Sequence, residues 1–125
     1  MAMRVGRTVL LADDQSSVRN ELREILRQCH YTIVGEAANT DDALQKFETL
    51  RPDAVIMDVT LPGTLDALVA IDRMRRLDAS AAILATGSAS QNMIVMEALS
   101  MGAADFFLKP FKRRAVEDCL QRTLG

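Results

Sequence analysis

Asp13, Asp14, Asp58, Thr86 and Lys109 are the residues of this chain whose types could combine into chemistry. Three carboxylates gathered in one place repel one another, and their pKa values would rise unless a cation sat among them. Ligands that are all oxygen suit a hard ion such as Mg²⁺, which keeps several waters and takes few protein groups. A cation, a hydroxyl and an ammonium around one remaining carboxylate oxygen would form a receptacle for a phosphoryl group. Asp58 would then be the nucleophile.

Such a site needs elements that deliver all five residues to one place, and the spacing of apolar residues supplies them. Asp53 to Leu61 contains a short branched run that reads as a strand buried on both faces and ended by Pro62; Asp58 falls at its carboxyl end. Taken alone, Asp58 could equally begin a turn. Arg7–Ala12 is a first strand candidate that also ends on acid, Asp13-Asp14. Tyr31–Ala37, Ala81–Ala85 and Asp105–Leu108 read as further strands, the last two running into Thr86-Gly87 and Lys109-Pro110. Helices are expected between them. Ser16 or Ser17 would cap one that ends near Cys29-His30, and Thr40 would cap one stopped by Pro52. A third would run from about Asp66 to Leu77 with Leu68, Ile71 and Met74 inward, and a fourth from about Ser90 to Met101 with Gly102 at its end. A fifth would cover Arg113–Thr123 with Val116, Cys119 and Leu120 on one face. Strands alternating with helices imply right-handed crossovers and a parallel sheet between two helical layers. All five reactive residues then lie along one edge of that sheet.

The chain has 125 residues, about half of them apolar, which is ordinary for one globular domain. A formal net charge of -2 provides no electrostatic drive toward nucleic acid or an anionic membrane. The local basic runs, Arg73, Arg75, Arg76 and Lys112, Arg113, Arg114, read as solvated helix faces. Cys29 and Cys119 fall on apolar helix faces without metal-ligand spacing, so both are expected as reduced thiols in a cytoplasmic protein. Neither a secretory segment nor an apolar run of about 18 residues is present. His30, the only histidine, lies at the far end of the first helix and is expected to be structural.

Asp13-Asp14, Asp58 with Leu61-Pro62 behind it, Thr86-Gly87 and Lys109-Pro110-Phe111, in this order at successive strand ends, resemble the receiver domains of two-component response regulators. The resemblance covers essentially the whole chain, 1–125, and is greatest to the stand-alone chemotaxis-type (CheY-like) regulators, because no output domain follows the fifth helix. It implies a flavodoxin-like (βα)5 fold, α/β, with strand order 2-1-3-4-5. It also implies Mg²⁺ on Asp13, Asp14, Asp58 and the Thr60 backbone carbonyl, with Asp58 accepting phosphate from a histidine kinase or phosphotransfer protein. Thr86 and Lys109 would hold the phosphoryl oxygens, and Phe106 would follow the threonine as a switch, although Phe106 could also be a plain core aromatic. A cis Lys109-Pro110 bond is implied as well. The chain would act as a switch, catalysing only its own phosphotransfer and dephosphorylation. Its downstream protein target would bind helix 4, strand 5 and helix 5, and the chain itself would be a monomer or a phosphorylation-dependent dimer.

Two departures from the family pattern stand out. Asp66-Ala67 replaces the usual Asp-Gly or Asn-Gly pair, after one extra loop residue, and small residues at Gly87, Ser88 and Thr60 predict an open approach to Asp58. Two other functions compete. A flavodoxin-like electron carrier would share the layers, but a flavin phosphate wants backbone and hydroxyl donors where this chain has acids. A receiver fragment of a larger DNA-binding transcription regulator would have the same sequence pattern. In the fourth helix, Met93 is expected to be exposed with Ile94 and Met96 at its borders, opposite Val95, Ala98 and Leu99.

Overall fold

In a computed structural model that describes residues 7–124, the apolar runs are strands and the segments between them are helices. The expected span 1–125 extends at both ends beyond these described residues. The order is β1 (Thr8–Ala12), α1 (Ser16–Gln28), β2 (Thr32–Ala37), α2 (Thr40–Leu50), β3 (Ala54–Asp58), α3 (Ala67–Leu77), β4 (Ala82–Ser88), α4 (Asn92–Met101), β5 (Asp105–Lys109) and α5 (Arg113–Leu124). All strand pairs are parallel and the sheet runs β2-β1-β3-β4-β5, the flavodoxin-like arrangement expected.

Strand geometry turns successive side chains to opposite faces, so a strand covered on both sides must be apolar throughout. Val9, Leu11, Ile56 and Leu84 accordingly face α1 and α5, where Leu22, Leu26 and Leu120 cover them. Leu10, Val55, Met57 and Ile83 face the other way, toward Phe47, Ile71, Met74 and Val95 of α2, α3 and α4. Each such leucine or isoleucine stabilises the fold by roughly 1.5–3 kcal/mol through burial. β3 is buried at all five positions, and it carries a carboxylate at its end. β2 lies at the sheet edge and guards it with charge. Glu36 there accepts from Arg19 Nε at 2.8 Å and from Arg23, while Lys46 Nζ donates to the Glu36 carbonyl at 2.5 Å.

Several element ends differ from the sequence expectation for local reasons. Gln15, not Ser16 or Ser17, occupies the N-cap of α1, and its amide donates to Asp13 Oδ1 at 2.9 Å. Asn39 rather than Thr40 caps α2 by accepting from the Asp42 amide, which leaves the Thr40 hydroxyl for a partner outside the helix. β4 continues through Thr86 and Gly87 to Ser88, because β5 pairs with it that far. A 3-10 turn over Ala89–Gln91 then precedes α4, stabilised by a capping box between Ser88 and Gln91. Ala67 begins α3 with ordinary helical backbone, since Asp66 caps that helix by accepting from the Leu68 amide. Leu68 is only partly buried; Ala67, Ala70, Ile71 and Met74 form the inward face. Gly102 takes φ +125° after α4, a backbone conformation that side-chain-bearing residues rarely adopt, and lies close against the stem of Arg75. Both cysteines are free thiols; Cys119 is buried and Cys29 partly so. Among the described residues no helix is long and apolar enough to cross a membrane.

Candidate functional site

The strand order reverses between β1 and β3, and in open α/β sheets the crevice outside the carboxyl ends at that point is where ligands sit. Asp13 follows β1 directly, and Asp58 is the last residue of β3. Thr86 is the register partner of Asp58 on β4, and its carbonyl accepts from the Val59 amide at 2.9 Å. Lys109 ends β5 two residues beyond the level of Thr86, so its stem folds back across the end of β4 to reach the acids. Its Nζ donates to Asp58 Oδ2 at 2.5 Å and to Asp13 Oδ2 at 2.9 Å. Thr60 serves the other oxygen: its amide and its hydroxyl both donate to Asp58 Oδ1, at 2.6 and 2.5 Å.

Asp13 and Asp58 are only 2% and 4% exposed. The approach to Asp58 is therefore narrower than its small neighbours suggest, because Lys109 and Thr60 occupy both of its oxygens. Burial opposes ionisation of Asp58, but hydrogen bonds from Lys109 and from the Thr60 side chain and amide prevail and hold its carboxyl below the ordinary aspartate range. For Asp13 burial wins over the Gln15 amide and Lys109, and the neighbouring Asp58 charge adds to it, so that carboxyl titrates above the ordinary range. Burial pulls the Lys109 ammonium down, while bonding to Asp58 and then Asp13 outweighs it and raises the pKa. One ammonium thus answers two buried carboxylates.

Asp14 does not join this pair. Its side chain is exposed, and among the described residues no three His, Cys, Asp or Glu side chains converge in a group able to hold a metal. The reason is local, since successive residues leaving an extended strand turn opposite ways, and Asp13 takes the inward direction. A hard dication nonetheless fits the donors present. They are oxygens, their charge exceeds that of the one ammonium, and Mg²⁺ is commonly held by one or two carboxylates plus waters. Phe106 is half-buried against the apolar layer that contains α4, and Phe107 points to the opposite layer, where its ring meets Phe111 edge-on at 5.3 Å. The Lys109-Pro110 peptide is cis. His30 is exposed with left-handed backbone, φ +68°, beyond the end of α1. Arg19 went unnoticed in the sequence; its guanidinium donates to the Asp13 carbonyl at 2.6 Å while pairing with Glu36. Nothing in its helical spacing sets it apart from Arg23 and Arg27 of the same helix.

Residues 9–121 match the family described as the response regulator receiver domain. The chain belongs to that family. It is a phosphoryl-accepting receiver domain of a two-component system, and the chemistry it catalyses is its own phosphotransfer and dephosphorylation. The chain is 35% identical to a chemotaxis protein CheY of Thermotoga maritima over 118 residues, covering 94% of this chain and 98% of that protein. It is 38% identical over 109 residues to the transcriptional regulatory protein PdtaR of Mycobacterium tuberculosis, covering 86% of this chain but 51% of that protein. Receiver relatives are therefore both short proteins and parts of longer regulators. A crystal structure of a putative response regulator from Chloroflexus aurantiacus superposes with a TM-score of 0.83 at 31% identity, over 95% of this chain and 98% of that one.

Proposed function

We propose that Asp58 is the phosphoacceptor and that this receiver works as a chemotaxis-type (CheY-like) regulator in the cytoplasm, as its match to CheY over 98% of that protein supports. The observation that carries the assignment is the placement of Asp58 between donors on both oxygens, buried yet held ionised. An ionised carboxylate oxygen attacks the phosphorus of a phosphohistidine on a histidine kinase or phosphotransfer protein; the P–N bond breaks and the imidazole leaves. Mg²⁺, held by Asp13, Asp58 and the Thr60 carbonyl with Asp14 adding charge from the rim, would neutralise charge on the transferring group. Lys109 passes from the carboxylates to a phosphoryl oxygen, and the Thr86 hydroxyl takes another. Incubation with Mg²⁺ and phosphoramidate is expected to add one phosphoryl group, and a chelator to abolish the gain. Equal phosphorylation with chelator present would remove the metal from this reading.

The Thr86 movement would be passed to Phe106 and from there to the surface of α4, β5 and α5, where a downstream protein or a second copy binds. Exposure on α4 supports this choice: Met93 is 77% exposed and Met96 54%, with Ile94 at the border and Val95 and Ala98 inward. Methionine suits a surface that adapts to its partner. Met93→Glu is expected to weaken phosphorylation-dependent partner binding or self-association about tenfold, the loss of one buried apolar anchor, with phosphorylation unchanged. Equal binding by equally phosphorylated proteins would place the output surface elsewhere. The similarity to PdtaR keeps a second reading in view, a receiver within a longer transcription regulator.

A further inference from the structure

The loop from β3 to α3 is fastened to the N-terminus of α2, an element that contributes no residue to the phosphorylation site. The Thr40 amide donates to the Pro62 carbonyl at 2.8 Å, and the fully buried Thr40 hydroxyl donates to the Leu65 carbonyl at 2.9 Å. Next to it the Thr64 amide donates to Asp41 Oδ2 at 3.0 Å. Gly63 makes the approach possible: a Cβ there would lie 2.0 Å from Thr40 Oγ1 and 2.8 Å from the Thr40 amide nitrogen, and its φ of +148° is one that side-chain-bearing residues rarely adopt. Two residues upstream of Pro62 stands Thr60, whose amide and hydroxyl fix Asp58 Oδ1, and the Leu61 amide donates to the Asp58 carbonyl at 3.1 Å. Whatever sets the path of Pro62–Leu65 therefore bears on the direction of the Thr60 donors.

We propose that Thr40 is a positioning residue for the phosphoacceptor: by latching Pro62 and Leu65 onto α2 it holds the Thr60 donors on Asp58. This rests on the reading of Asp58 given above. The latch explains how a loop with an extra residue, and with Ala67 in place of glycine, keeps its aim. Carboxylate orientation matters to rate because misplacement of a reacting group by about 1 Å can cost up to 100-fold. Valine matches threonine in shape and lacks the hydroxyl, so Thr40→Val removes one latch bond and leaves the Leu65 carbonyl without its donor; Thr40→Ser restores it.

The test measures the initial rate of phosphorylation by phosphoramidate and Mg²⁺ by intact mass, beside amide chemical shifts of the unphosphorylated proteins. Thr40→Val is expected to slow the reaction roughly tenfold and to shift the Thr60 and Leu61 amides while those of α5 stay in place. Thr40→Ser should react as the parent does. A parental rate with unmoved Thr60 and Leu61 amides in Thr40→Val overturns the proposal, as does a Thr40→Ser protein as impaired as the valine variant. Should Thr40→Val fail to fold, the exposed Asp41→Ala change, which frees only the Thr64 amide, is expected to give a smaller slowing with the same amides moved; unchanged rate and shifts there also overturn it. An Asp58→Asn protein phosphorylated as fast as the parent would defeat the acceptor assignment instead, and the amide shifts, which need no phosphate, would still judge the latch.

Discussion

Asp58→Asn is expected to abolish phosphorylation: incubated with Mg²⁺ and phosphoramidate, the variant gains no mass where the parent gains one phosphoryl group. An amide cannot serve as the nucleophile, and the neighbouring carboxylates are poor substitutes. Burial raises the pKa of Asp13, whereas donors hold that of Asp58 down, and Asp14 is turned to solvent away from the pair. The fold should survive, because Asn is nearly the same size and Lys109 keeps Asp13 as a counterion. Amide shifts remote from the sheet edge check that. Stoichiometric phosphate on the asparagine protein would mean that another residue is the acceptor.

Lys109→Met is expected to have the largest effect on stability of any single change at the site, lowering it at neutral pH by about 1–3 kcal/mol, the usual cost of hydrogen bonds to charged groups lost from a partly buried setting. The ammonium is the common partner of Asp13 and Asp58, and its side chain is about one quarter exposed, so solvent replaces part of what is lost. Without it, two nearly buried carboxylates face each other and their pKa values rise. An acid whose folded pKa exceeds its unfolded value loses stability as pH rises through that range, so the deficit should be largest at pH 7 and shrink as the acids protonate. Mg²⁺ should restore more stability to this variant than to the parent, since it replaces the missing positive charge. Urea unfolding at neutral and acid pH, with and without Mg²⁺, reads all three effects. A deficit independent of pH and Mg²⁺ would mean that the lysine acts by packing alone. Lys109→Arg should still accept phosphate yet couple poorly to partners, because a planar guanidinium does not reproduce a compact ammonium between two oxygens.

The sheet and its reactive edge were legible in the sequence because both depend on local pattern. Buried parallel strands read as apolar runs, and a polar residue at the end of such a run can only lie at the sheet edge; Asp13, Asp58, Thr86 and Lys109 obey this rule. Asp14 lies at the same edge with its side chain outward, since adjacent residues share a position in sequence but not a direction in space. Thr40 is of a type preferred at helix caps, yet Asn39 one step earlier meets the same need, and the freed Thr40 turns to Leu65, 25 residues away. Contacts of that kind depend on the path of a loop, which periodicity does not encode. The extension of β4 over Thr86–Ser88 is similar: Gly87 disfavours a strand there, and pairing with β5 makes one. Met93 was legible because the fourth helix carries more apolar residues than one face can bury.

A single carboxylate, that of Asp58, is expected to take the phosphoryl group. Reduction of the phosphorylated parent with borohydride, followed by peptide mass spectrometry, tests it most directly, because an aspartyl phosphate is reduced to homoserine while a free aspartate is untouched. Homoserine at position 58, and only when Mg²⁺ and phosphodonor were both present, is the expected result; homoserine at position 13 or 14 with Asp58 intact would contradict it.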